Sequence, residues 1–206
     1  MLLVVTALAL GALHSFAPDH LAAVSVFVSR HPSWRRAMSL GARWGVGHSL
    51  TIVLLGGAIS LTGLRLPERF APSAERAVGV TLVLIGVVAL ARALRARGHA
   101  FEQAHAHDRG HGALLGIGVL HGLAGSGALV VALPSAVAAS RAQVLLCLGA
   151  FGIGTIVSMA VAGAVAGHAL GAAVRSFARA RSVVAVGAAA LSMIVGVWWI
   201  ASGGTG

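Results

Sequence analysis

The chain has 206 residues, 58% hydrophobic and only 10% charged, with a mean hydropathy of +0.92. So little polar surface excludes an ordinary soluble domain and points to a bilayer as the solvent. The formal net charge of +10 does not mark a nucleic-acid binder, because the arginines that carry it sit in short loops between apolar runs, where they set membrane orientation.

Six apolar runs predict an all-α, polytopic membrane protein with helices at 2–27, 40–62, 76–95, 113–137, 144–168 and 182–202. Each is near the ~20 residues needed to cross a ~30 Å hydrocarbon core. The first run opens on Leu2 and Leu3 without a basic leader or a small-residue cleavage site, so it is expected to stay as a helix. Arg30, Arg35 and Arg36, then Arg92, Arg95, Arg97 and Arg109, then Arg175, Arg179 and Arg181 fall in the first, third and fifth loops. Only Arg65, Arg69, Arg76 and Arg141 fall in the others. The positive-inside rule then puts the odd loops in the cytoplasm and both termini outside. Cys147 is the single cysteine, which rules out an intramolecular disulfide, a CxxC pair and a thiolate metal cage.

The first helix carries His14-Ser15-Phe16-Ala17-Pro18-Asp19-His20. On an unbroken helix Asp19 would lie ~140° and His20 ~240° around from His14, so the three would not share a face. Pro18 has no amide hydrogen for the carbonyl of His14, and its ring crowds that turn, so a break is expected there. A break lets the three side chains converge. An unpaired Asp19 at bilayer depth costs at least ~2.5–3.5 kcal/mol, which a bound cation would offset. Histidine with carboxylate suits borderline divalent ions such as nickel, cobalt or zinc. The structural alternatives are that Asp19 caps the helix segment after Pro18 and that His14 is a helix-to-helix hydrogen-bond partner. His48, after Trp44-Gly45-Val46-Gly47, is a further ligand or pathway candidate inside the second helix. Trp44, Trp198 and Trp199 are expected to serve as packing or interface anchors.

The third loop holds His99, His105, His107 and His111 beside Glu102 and Asp108. Such a tract suits loose metal capture; its spacing is not that of a closed zinc site, and a plain polar linker is the alternative. His121 opens the fourth helix's His121-Gly122-Leu123-Ala124-Gly125-Ser126-Gly127. Shifting the sequence by 107 residues aligns its halves: Gly11-Ala12-Leu13-His14 meets Gly118-Val119-Leu120-His121, and Trp44-Gly45-Val46-Gly47 meets Phe151-Gly152-Ile153-Gly154. The third helices match only loosely. Three helices per half means that the second half is inverted, the arrangement of secondary transporters with a midplane site. The expected division is 1–95 as the first repeat, 96–112 as a His-rich linker and 113–206 as the second repeat. Pro18 lies opposite Gly125, Ser126 and Gly127, so both first helices are expected to break at matching depth. Thr155 stands where the first half has His48, and Ser126 where it has Asp19, so the charged ligands are concentrated in the first half.

The motif His14-x4-Asp19-His20, the Gly47-His48-Ser49 step and the stretch from His121 to Leu129 resemble the nickel/cobalt permease superfamily. The last stretch resembles its short, six-helix, urease-accessory-type nickel transporters. The His-rich loop is similar to that of the nickel/cobalt efflux branch, which leaves the direction of transport open. The resemblance implies a non-enzymatic permease of a bacterial inner membrane, with nickel or cobalt as substrate, no prosthetic group, and the His/Asp motif in metal recognition. The expected partners are the divalent ion and the lipid bilayer, with a homo-oligomer compatible with the sequence. Histidine changes charge near neutral pH, so such ligands would allow coupling to a proton gradient. Two other classes remain at this point. An intramembrane metalloenzyme would need acid/base partners, and the chain has no His-Glu-x-x-His and no multiple His boxes. A non-metal exporter or membrane assembly factor on a similar inverted-repeat fold would bind no divalent ion.

Overall fold

The structure is a computed structural model that describes residues 1–29, 33–63, 67, 69–95, 114–124, 140–177 and 179–202. These residues form seven helices and no strand: α1 (Leu2–His14), α2 (Pro18–Val28), α3 (Trp34–Thr62), α4 (Phe70–Arg95), α5 (Leu114–Ala124), α6 (Arg141–Ser176) and α7 (Ala180–Ser202). Four of them, α3, α4, α6 and α7, are long and apolar enough to cross a membrane, and the bent pair α1 and α2 makes a fifth span if counted as one. The predicted run at 113–137 is represented by the short α5, because residues 125–139 lie outside the described part. The predicted His-rich linker, with His99, His105, His107 and His111, and the predicted break at Gly125, Ser126 and Gly127 also lie outside it.

Large apolar side chains point outward. Leu54, Leu84, Val157, Val165, Ile194 and Trp198 are all more than half exposed, whereas Asp19, His20, His48, Ser49, Thr51, His121, Thr155 and Ser192 are buried. Apolar outside and polar within is the reverse of a soluble fold, and with the apolar helices it makes this a multi-pass membrane protein.

Two predicted boundaries differ in a consistent way. α3 starts at Trp34 rather than 40, and α4 at Phe70 rather than 76. The extra turns carry Arg35 and Arg36 in one case and Glu75 in the other, so hydropathy ends before the helix does. Arg35 lies 5.2 Å over the Trp34 ring, a cation–π contact suited to an interface. α6 is longer than expected, at 36 residues, because nothing from Arg141 to Ser176 breaks it. Its N-terminus is capped by the Ser140 side chain, which accepts from the Gln143 amide.

α3 and α6 form the antiparallel centre of the fold: Ala37 meets Gly163, Gly41 meets Met159, Gly45 meets Ile156 and Ser49 meets Gly152. α1 runs parallel to α6 and touches it backbone to backbone at Gly11 against Phe151 and at Gly154 against Leu8. α5 runs parallel to α3 with the same kind of contact, Gly118 against Trp44 and Gly47 against Leu115. Any Cβ at these glycines would strike a carbonyl, so glycine is what allows the close approach. Serine and threonine hydroxyls tie the same pairs together. Ser158 donates to the Ala12 carbonyl at 3.0 Å, and Thr51 to the Val119 carbonyl at 3.3 Å. α4 and α7 pair antiparallel through Gly79 and Gly196, and Ser192 donates to the Leu82 carbonyl at 2.8 Å. α2 packs against α7 and α4, with Ala22, Val24, Val78, Leu82 and Val195 in one apolar cluster.

Candidate metal centre

The break at Pro18 is present. α1 ends at His14, α2 begins at Pro18, and their axes bend by 58°. Pro18 occupies the first position of α2, where a missing amide hydrogen leaves no helical bond unmade. Ala17 is extended, with ψ 145°, as the residue before a proline prefers. Asp19 falls in the first turn of α2, but no side chain caps that helix by a hydrogen bond. The capping role open to Asp19 from the sequence is therefore not the one it plays.

The bend brings together what a straight helix would separate. His14, His20 and His48 each offer a ring nitrogen within 4.8 Å of the others. Their ring centroids lie 4.8 Å (His14–His20), 5.3 Å (His14–His48) and 5.0 Å (His20–His48) apart. Asp19 Oδ1 is 3.1 Å from His20 Nδ1, although the approach lacks hydrogen-bond alignment and neither atom has another partner among the described residues. The His121 ring is 5.7 Å from that of His20. His121 Nδ1 lies 3.1 Å from the Ile117 carbonyl, which can only accept, so Nδ1 carries the proton and Nε2 keeps its lone pair. All five predicted ligands thus fall in one buried cluster.

His14 Nε2, both ring nitrogens of His20 and of His48, and His121 Nε2 are buried with no hydrogen-bond partner among the described residues. Buried polar atoms are normally paired. A cluster of unpaired lone pairs beside one carboxylate is a donor set that could hold a borderline divalent cation. His48 stands about four turns into α3, which starts six residues earlier than expected; this puts it ~21 Å from the first turn, near the middle of the span. His168 is exposed on α6 and stands apart from the cluster, and His31 lies outside the described residues.

Two aromatic rings close the cluster, and sequence reasoning gave neither a place there. Trp44 stacks on His20 at 5.5 Å and 18°, and meets His121 edge-on at 5.1 Å. Phe151 lies 5.6 Å from His14. The signal that could have found them was the 107-residue offset, which pairs Trp44 with Phe151 just as it pairs His14 with His121. Thr155, the counterpart of His48, is fully buried, and its hydroxyl donates to the carbonyls of Gly11 and Phe151 rather than facing the imidazoles.

No family model and no solved structure matches this chain. It is 33% identical over 159 residues to the urease accessory protein UreH of Bacillus sp. (strain TB-90), a match that covers 73% of this chain and 69% of that protein. With that identity over most of both sequences, and a buried histidine cluster inside a membrane-spanning helical fold, the chain belongs to the UreH family of urease accessory proteins.

Proposed function

We propose that the protein is a permease for a divalent transition-metal ion, nickel or cobalt, working by alternating access at the His14, Asp19, His20, His48 and His121 centre. The observation that carries this is the convergence of four imidazoles and one carboxylate at a helix break, each imidazole with at least one ring nitrogen unpaired among the described residues. The ion would exchange water for imidazole nitrogens and the Asp19 carboxylate, and it would neutralise a charge that is costly inside a membrane. The resemblance to urease-accessory-type nickel transporters puts nickel first, and the membership in a family of urease accessory proteins agrees with it.

Alternating access is supported by how the halves pack. Gly11 against Phe151 and Gly118 against Trp44 are the same contact displaced by 107 residues in both partners. So are Gly154 against Leu8 and Gly47 against Leu115, Gly45 against Ile156 and Gly152 against Ser49, and the Ser158–Ala12 and Thr51–Val119 hydrogen bonds. With α3 antiparallel to α6, these pairs fit two inverted three-helix repeats, 1–95 and 113–206, joined by 96–112. On this reading the six predicted spans hold, with α5 as the described part of the fourth, and the protein sits in a bacterial inner membrane with both termini outside.

The test is flux of nickel, cobalt, zinc and manganese into proteoliposomes, comparing wild type with His14→Ala and Asp19→Ala. Wild type is expected to move nickel or cobalt and both variants to lose that flux. Equal flux in all three proteins would remove the site; no flux of any metal by wild type would remove the permease.

A further inference from the structure

We propose that Trp44 and Phe151 are the two gates of the site, each closing it toward one side of the membrane; this rests on the alternating-access reading above. Both rings are 1% exposed and both lie directly on the imidazole cluster. Trp44 comes four residues before His48 in α3, which places it ~6 Å along the axis toward the helix N-terminus. Phe151 comes four residues before Thr155 in α6, again ~6 Å toward the N-terminus. Thr155 is level with the cluster, because its carbonyl is 3.3 Å from the hydroxyl of Ser15, the neighbour of His14. Since α3 and α6 run antiparallel, the two rings lie on opposite sides of the ligands. By the arginine distribution the Trp44 side is cytoplasmic.

The rings also serve matching ligands. Trp44, from the first half, covers His121 of the second, and Phe151, from the second half, covers His14 of the first. Each gate is thus carried by one half and closes on a histidine of the other, with Trp44 stacking also on His20 of its own half, so relative motion of the halves opens one or the other. Nothing polar locks either ring. Phenylalanine has no hydrogen-bonding group, and Trp44 Nε1 is buried without a partner among the described residues. A small apolar cleft lined by Val24, Phe27, Leu40 and Gly41 adjoins Trp44; it has room for about one water, so the ring moves only if these neighbours move with it.

The experiment uses the full chain with Cys147→Ala and Ser15→Cys, so that the one reporter thiol lies beside His14, at the level of Thr155. A charged, membrane-impermeant methanethiosulfonate is applied to right-side-out and inside-out vesicles. Trp44→Ala is expected to raise the labelling rate about tenfold in inside-out vesicles only, and Phe151→Ala by about tenfold in right-side-out vesicles only, tenfold being ~1.4 kcal/mol in the barrier. Trp44→Phe and Phe151→Leu keep a bulky apolar cap and are expected to stay near the parent rate. If an alanine variant fails to reach the membrane, Trp44→Val and Phe151→Val carry the same comparison. Equal increases from both sides, or no increase from either, overturns the gates. Labelling needs no metal, so it separates two failures. A chain that moves nickel or cobalt without side-specific labelling has lost only the gates, whereas one that moves no metal has lost the transport reading.

Discussion

Gly11→Ala asks whether backbone contact between α1 and α6 sets the ligand geometry. A Cβ on Gly11 would fall on the Phe151 carbonyl oxygen, 2.8 Å from the carbonyl carbon and 2.9 Å from Phe151 Cα. Ordinary contact begins near 3.4 Å, and the obstacle is backbone, so no rotamer change relieves it. The helices must separate by about 1 Å, and a misfit of that kind costs ~1–3 kcal/mol. Better helix propensity returns at most ~1 kcal/mol. His14 lies one turn beyond Gly11 and moves with α1, so it leaves His48 and His20 by a similar distance. Displacing a ligand's support typically lowers metal affinity ~10–100-fold. The control is Gly149→Ala in α6, where an added Cβ meets nothing within 4 Å and the substitution should be neutral or slightly stabilising. Calorimetric titration of detergent-purified protein with nickel, together with thermal unfolding, reads both effects. If Gly11→Ala matched Gly149→Ala in affinity and in melting temperature, the close approach would not be what holds the site.

Gly118→Ala, which would drive a Cβ into the Trp44 carbonyl, should weaken nickel binding by a similar factor, checked by the same titration; a normal affinity would count against equivalent packing of the two halves. Asp19→Asn removes the one carboxylate of the cluster and should lower nickel affinity by at least ~10-fold while the protein still elutes as a folded species. Pro18→Ala restores an amide hydrogen at the break and should let α1 run on into α2, turning Asp19 and His20 away from His14. The expected result is a loss of nickel binding with helical circular dichroism unchanged or slightly raised. Deleting residues 99–111 should raise the nickel concentration at half-maximal flux without lowering the maximal rate, and unchanged values for both would leave that stretch as a linker.

The candidate ligands were legible because their chemistry conflicts with their surroundings. Asp19 and four histidines within apolar runs have no reason to be in lipid unless something polar receives them, and the structure buries all but His14 fully. The break was legible from the amide that Pro18 lacks. Helix ends were not, because Arg35 and Arg36 continue α3 past the hydrocarbon boundary, where hydropathy no longer tracks helix formation. Trp44 was assigned to packing or interface together with Trp198 and Trp199, since composition cannot tell a tryptophan stacked on a buried histidine from one at a membrane surface. Trp198 is 61% exposed and fits the interface part of that expectation; Trp44 is buried in the core and fits the packing part, while its ring also stacks on His20.

The split of the first helix has one more consequence. α1 is packed on α6, whereas α2 is packed mainly on α7 and α4. His14 is therefore supported by α6, and Asp19 and His20 mainly by α7 and α4, so that even within the first half these residues rest on two supporting bodies, with only Ser15, Phe16 and Ala17 between them. An ion bound there as proposed would act as a rivet across that joint. Its binding energy and the energy that keeps the two bodies together are then one quantity, so whatever pries the bodies apart must loosen the ion, and a more tightly held ion must slow their separation.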